Sequence, residues 1–182
     1  MQISTIFALK ESVLYSVQYD NDEMEFGRLF NLWINDFEYL ESFFEDNRKD
    51  LHSGYFGNIS IEEAIERTRK NAIALRKQFY DIANDTQLNN PKLQQLFRPL
   101  HNNEYQVKSL SKEKSKKSWL RIYAIRIAEN TYVISGGGIK LTETMESHLL
   151  LELKKLELTK LFLIENGLTD ESDFGCFEFI PQ

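Results

Sequence analysis

Apolar and polar positions alternate at the N-terminus and then change to a helical spacing. Two apolar runs, 6–9 and 13–17, flank the polar segment 10–12, and they predict either a first hairpin or one bent strand. From about residue 23 to 47 apolar residues recur at three- and four-residue steps, which predicts one long helix. We expect five residues of this stripe to be buried together: Phe30, Trp33, Phe37, Leu40 and Phe44.

Helix-start and helix-stop signals predict three further helices. Ser60 and Glu63 form a capping box, and the helix that they open is predicted to run to about residue 83. An Asn-Pro pair predicts the start of a short helix over 90–97. A leucine-rich pattern predicts a C-terminal helix over about 146–166, where Asn-Gly ends it.

Residues 118–144 carry the clearest strand pattern. Two runs rich in Ile, Tyr and Val, 118–127 and 131–141, flank a short polar turn and predict an antiparallel hairpin. Strand alternation places Arg121 and Arg126 on opposite faces, and we expect the Arg121 face to be the solvent-facing one. The three consecutive glycines at 136–138 indicate a bulge or a surface that something approaches closely.

These elements predict an α+β fold: an antiparallel sheet with two long N-terminal helices and a C-terminal helix. A length of 182 residues is typical of one domain. Within it we distinguish a helical half (about 23–97), a basic sheet region (about 98–145) and a C-terminal helix with an acidic tail (146–182).

Charge is distributed unevenly along the chain. The net charge is −6, yet residues 98–140 hold nine Lys and Arg against three acidic residues. Such a basic island can attract an anionic partner within a Debye length, or it can be an ordinary solvated lysine-rich loop; the sequence leaves both open. A single cysteine and apolar runs too short for a bilayer favour a cytoplasmic protein without membrane contact.

Tests for known chemistry leave the cationic sheet as the candidate site. The three histidines lie far apart, which argues against a metal site, and no cofactor motif, P-loop or acyl-transfer motif occurs. Arg, Lys and Tyr could bind phosphate and move protons during RNA cleavage by the 2′-hydroxyl, although they also suit a routine sheet face. The candidate catalytic residues are Arg121, Tyr123 and Lys140, and the candidate nucleic-acid-binding residues are Arg126, Lys108, Lys116, Lys117 and His101.

The order of elements and three local patterns resemble the RelE/ParE superfamily of bacterial toxins, in particular its HigB-like, phage-protein branch. The patterns are Pro-Leu at 99–100 before a short strand at 104–107, an arginine-bearing strand at 120–127, and a Gly/Lys/Thr segment at 138–144. The resemblance implies a ribosome-associated mRNA endonuclease that a cognate antitoxin neutralises. Branches of the superfamily that act on DNA gyrase show that the fold alone does not fix the target.

Two functions therefore follow from the sequence. The first is an RNA-cleaving toxin with the antitoxin, mRNA and the ribosome as partners. The second is a non-catalytic module, whose acidic helical half binds a protein while its basic island binds an acidic segment or nucleic acid.

Overall fold

The structure is a computed structural model. It describes residues 1–53, 56–84, 93, 97–99, 118–142, 149–168 and 175–179.

The described residues form an α+β fold of six strands and five helices. The strands are β1 (Ile3–Lys10), β2 (Leu14–Tyr19), β3 (Phe97–Pro99), β4 (Leu120–Ala128), β5 (Thr131–Ile139) and β6 (Gly175–Phe179). The helices are α1 (Glu25–Ile34), α2 (Phe37–Asp46), α3 (Arg48–Leu51), α4 (Ile61–Asn84) and α5 (Leu150–Glu165).

All six strands belong to one sheet, in the order β1-β2-β5-β4-β6-β3. The predicted hairpins are confirmed: β1 pairs antiparallel with β2, and β4 pairs antiparallel with β5. The expectation of a wholly antiparallel sheet is wrong, because β2 pairs with β5 in parallel over 14–16 and 132–134. This pair joins segments more than a hundred residues apart, and a chain that travels so far can return in either direction.

The expectation of one helix over 23–47 is also wrong. The chain forms α1, α2 and the short α3, and it bends at Asn35 and Asp36. Asp36 caps α2 by accepting a hydrogen bond from the Tyr39 backbone N–H at 2.9 Å, as expected of an Asp at this position. The break turns Phe37 outward, so that it is 51% exposed, while the other four residues of the predicted stripe are buried.

Helices cover both faces of the sheet. Leu29, Trp33 and Phe79 of α1 and α4 pack with Ile122 and Ile134 on one face. The opposite face packs beneath α5, whose inner residues Leu156 and Leu163 lie in one cluster with Tyr123, Ile125 and Val133. The β4–β5 hairpin therefore lies inside the molecule.

Several sequence predictions concern the remaining helices and segments. The capping box is confirmed: the Glu63 backbone N–H donates to Ser60 Oγ at 3.2 Å, and the Ser60 N–H donates to the Glu63 carboxylate at 2.9 Å. The leucine-rich C-terminal helix is confirmed as α5. The predicted short strand at 104–107, most of the acidic tail and most of the short helix at 90–97 lie outside the described residues.

Candidate functional site

Two of the candidate cations lie at one end of the β4–β5 hairpin. Arg121 pairs with Gly138 across the strands, and the Lys140 backbone N–H donates to the Trp119 carbonyl at 2.8 Å. Diagonal neighbours in such a ladder are about 7–8 Å apart. The Arg121 guanidinium donates to the carbonyls of Ser118 and Leu120 at 2.7 and 2.8 Å, so its own backbone orients it.

Arg126 is separated from this pair. Five residues along β4 place it about 17 Å from Arg121, and the unbroken alternation of β4 places it on the opposite face. Tyr123 shares the Arg121 face, but it is 0% exposed and packs against the cluster beneath α5. The expectation that this face is open to solvent is therefore wrong, because α5 covers it.

The other candidates for nucleic-acid binding fall in a part of the chain that the structure does not describe. Lys108, Lys116, Lys117 and His101 lie outside the described residues. Their roles remain predictions.

The triple-glycine segment is approached closely, as the sequence indicates, but by the protein's own helices. A Cβ on Gly136 would collide with the Glu152 carboxylate of α5, and a Cβ on Gly138 would lie 2.7 Å from Leu149 Cδ2. On the other face, a Cβ on Gly137 would lie 2.5 Å from the Arg121 carbonyl oxygen and 3.2 Å from the ring of Trp33. The glycines thus allow helices to pack directly against the backbone of β5.

A bulge before the glycines opens the sheet between β2 and β5. The register of β5 against β4 shifts at Ser135, and the β2–β5 pairing ends at Ser16 and Ile134. Beyond this point the start of α1 replaces the missing pairing: the Phe26 backbone N–H donates to Ser16 Oγ at 2.9 Å. Side chains from α1 and α5 meet in the resulting gap.

Four charged residues meet there, and we call them the charge cluster: Glu25, Arg28, Glu152 and Lys155. The Lys155 ammonium lies 3.2 Å from both Glu25 carboxylate oxygens and 3.1 Å from Glu152. Arg28 binds Glu25 through two hydrogen bonds of 2.7 and 2.8 Å, and Glu152 accepts the Gly137 backbone N–H at 2.9 Å. Two acids and two bases cancel formally, which buried charges require.

Tyr19 of β2 completes this arrangement. Its hydroxyl contacts three oxygen atoms: the Ser135 carbonyl at 2.8 Å, the Lys155 carbonyl at 3.1 Å and Thr159 Oγ1 at 2.7 Å. The same Thr159 hydroxyl donates to the Lys155 carbonyl at 2.8 Å. A single side chain therefore links β2, the bulge of β5 and the middle of α5.

Burial shifts the acidity of these groups. Desolvation raises the pKa of Glu152, and Lys155 opposes that rise. Desolvation also raises the pKa of the Tyr19 hydroxyl well above its ordinary value. For Arg28 burial disfavours the charge, yet the hydrogen bonds to Glu25 hold the guanidinium pKa above its usual value. Arg28, with 29% of its side chain exposed, is the most exposed member of the charge cluster.

We expect Tyr19 to make the protein less stable at alkaline pH. An unfolded tyrosine loses its proton near pH 10, whereas the raised pKa keeps the folded hydroxyl protonated. Tyr19 therefore makes its full contribution to the free energy of unfolding below about pH 10. As the pH rises from there toward the folded pKa, this free energy falls by up to about 1.4 kcal/mol per pH unit. Urea unfolding at about pH 9, 10 and 11 measures this slope.

Tyr19→Phe should lower both the stability and this alkaline slope. A part of the slope should remain in Tyr19→Phe, because burial also raises the pKa of Tyr39. Tyr15→Phe is the control, since the Tyr15 hydroxyl bonds only near the surface, to the Ser12 N–H and to Glu11. An unchanged slope in Tyr19→Phe would contradict the prediction.

Sequence reasoning missed the charge cluster. The sequence indicates the charge cluster only in part. It shows two acid–base pairs at i,i+3 spacing on separate helices, and it shows small residues at 135–138. Such spacing usually marks an exposed helical pair, and Glu25 and Lys155 lie 130 residues apart.

No group of three His, Cys, Asp or Glu side chains suited to a metal ion occurs among the described residues. Likewise, none of the helices in the described ranges is both long and apolar enough to cross a membrane. Comparison with known proteins gives no match, whether to protein-family models, to curated proteins or to solved structures.

Proposed function

We propose that this chain is the toxin of a bacterial toxin–antitoxin pair and that it cleaves mRNA at the ribosome. The observation that carries the proposal is the position of Arg121 and Lys140 as diagonal neighbours in register at one end of the β4–β5 hairpin. The resemblance of the sequence to the RelE/ParE superfamily adds the expectation of a toxin. A cognate antitoxin would be the neutralising partner.

The proposed chemistry uses the two cations to hold phosphate charge. The 2′-hydroxyl of RNA loses its proton and attacks the adjacent phosphorus, negative charge accumulates on the phosphorane oxygens, and the 5′-oxygen of the next nucleotide leaves and takes up a proton. Arg121 would offer a forked contact and Lys140 a point charge to these oxygens. Tyr123 is buried, so we assign it the support of the sheet in this conformation, and His101 stays a candidate for nucleic-acid binding.

Inducible expression tests the proposal. Wild-type chain should arrest bacterial growth and generate new RNA ends, and Arg121→Ala or Lys140→Ala should relieve both effects. Arg126→Ala is the matched control, because Arg126 lies on the same strand but on the opposite face and about 17 Å away. Melting temperatures of all four proteins separate lost chemistry from lost folding. Expression without growth arrest or new RNA ends would contradict the proposal.

RNA affinity provides an independent measurement. If Arg121 and Lys140 contact phosphates, each substitution should reduce the log–log salt slope of single-strand binding by about 0.7. Slopes that are equal in wild type and variants would assign the binding to other residues.

The alternative is a non-catalytic binding module. The burial of Tyr123 and the hydrogen bonds of the Arg121 guanidinium to the backbone carbonyls of Ser118 and Leu120 favour it. In that case RNA or an acidic segment should bind in a salt-dependent manner with neither cleavage nor growth arrest.

A further inference from the structure

The outward face of α2 and the middle of the outward face of α4 carry opposite charges, with the exposed acids Glu62, Glu63, Glu66 and Asp81 flanking the basic segment of α4. Residues 67–80 of α4 contain five basic residues and no acidic residue. Two of these, Lys70 and Lys77, are exposed, and Arg69 and Arg76 are half-buried beside them. In contrast, α2 contains four acidic residues and no basic one, and its Glu38, Glu41 and Glu45 are exposed.

The basic face of α4 also carries apolar side chains. Ile73 is 48% exposed and Tyr80 is 51% exposed. They are seven residues apart, which is two helical turns, so both lie on the face that carries the cations. Exposed apolar residues in line, with charges on both sides, are typical of a helix that packs against another helix. An aliphatic side chain such as Ile73 gains little from a phosphate backbone, which favours a protein partner over RNA.

The acidic and basic faces are neighbours in the molecule. Helix α2 packs against α4, and the Arg69 guanidinium lies 4.3 Å from the ring centre of Phe37, the first residue of α2. Arg69 also donates to the Ile34 carbonyl at 2.8 Å, which fixes it at the boundary. Phe37 is itself half exposed, so an apolar residue lies between the two charged faces.

We propose that this composite face binds a second copy of the chain. A two-fold axis at the boundary would place α4 of each copy on α2 of the other, so that basic meets acidic twice. The lengths agree, since the α4 segment from Arg69 to Tyr80 and the ten-residue α2 are about 17 and about 15 Å long. A chain of net charge −6 repels its copy at long range, so a stable contact between copies needs a face on which basic residues meet acidic ones.

Existing ion pairs on these faces do not oppose the contact. Lys70 pairs with Glu66, and Glu45 pairs with Arg48, each within its own helical region and at the surface. Exposed pairs of this kind contribute little, and they can exchange partners. The inference does not depend on RNA cleavage, so it can fail or succeed independently of the proposed function.

Sedimentation or light scattering on the full chain tests the dimer. We expect a dimer at about 0.1 M salt that weakens at about 1 M, because the Debye length falls from about 10 to about 3 Å. Glu38→Lys/Glu41→Lys and Lys70→Glu/Lys77→Glu should each raise the dimer dissociation constant at least about tenfold, because each removes most of the attraction between the faces: the first leaves two basic and two acidic residues on α2, and the second leaves three basic and two acidic residues in 67–80.

Mixing the two variants gives the decisive measurement. In an equimolar mixture the unchanged basic α4 of the first variant meets the unchanged acidic α2 of the second, so one attractive contact is restored. A heterodimer should therefore form although neither variant self-associates. Circular dichroism checks that both variants fold, and Ile73→Asp provides a second variant that opposes the dimer without reversing a charge. A monomeric wild type at low salt, a dimer indifferent to both reversals, or a mixture that stays monomeric would each overturn the inference.

Discussion

Replacing Gly137 by alanine should destabilise the protein by about 3 kcal/mol. The new methyl group would lie 2.5 Å from the Arg121 carbonyl oxygen, 3.0 Å from Leu29 and 3.2 Å from Trp33. The carbonyl belongs to the backbone of the neighbouring central strand, so relief would require β4 and β5 to separate. For a protein of this size the expected fall in melting temperature is roughly 6–12 °C.

Urea unfolding monitored by the fluorescence of the two buried tryptophans, Trp33 and Trp119, measures this effect. Gly27→Ala is the matched control, because its methyl group would meet only the exposed Glu23 side chain, which can move. Because alanine favours a helix more than glycine does, Gly27→Ala should raise the free energy of unfolding by up to about 1 kcal/mol. If Gly137→Ala and the wild type have the same urea midpoint of unfolding, the close packing described across β5 is contradicted.

Lys155→Met should lower the free energy of unfolding by about 3–5 kcal/mol, because it leaves an uncompensated negative charge in the interior. The Lys155 ammonium bridges Glu25 and Glu152, and methionine retains the volume while it removes the charge. The exposed neighbour Lys154 provides the control on the same helix: Lys154→Met should change stability by less than about 0.5 kcal/mol.

A second substitution tests whether charge is the cause. Adding Glu152→Gln to Lys155→Met removes one of the two buried acids and retains an acceptor for the Gly137 N–H, so part of the stability should return. Lowering the pH should also restore a part of the stability of Lys155→Met, because protonation neutralises Glu152. Burial already raises the pKa of this carboxyl group. A double variant no more stable than Lys155→Met alone would show that the lost packing of Lys155 dominates.

Local signals in the sequence predicted the local structure well. The capping box at Ser60 and Glu63, the β4–β5 hairpin and the leucine-rich α5 all depend on residues close in sequence. The break between α1 and α2 escaped prediction because the apolar spacing continues through it, and only the cap at Asp36 marks it.

Long-range features could not be predicted from periodicity. The parallel pairing of β2 with β5 has no signal in either strand alone. The glycines at 136–138 indicated a close approach, but the sequence could not identify α5 and α1 as the approaching elements. The placement of the cations was partly predictable: strand alternation separated Arg121 from Arg126, whereas the burial of Tyr123 depends on α5.

The contacts of Tyr19 with α5 have a consequence for synthesis on the ribosome. Its hydroxyl bonds to Thr159, which is translated 140 residues later. At about 5–20 residues per second the N-terminal hairpin waits roughly 7–28 s for this partner. Contacts of such sequence separation slow folding. The nascent chain therefore carries an incomplete sheet: the inner edge of β2 stays unpaired until β5 has left the ribosome, and Tyr19 lacks its α5 partner until later still. An unpaired strand edge is prone to aggregation during that interval.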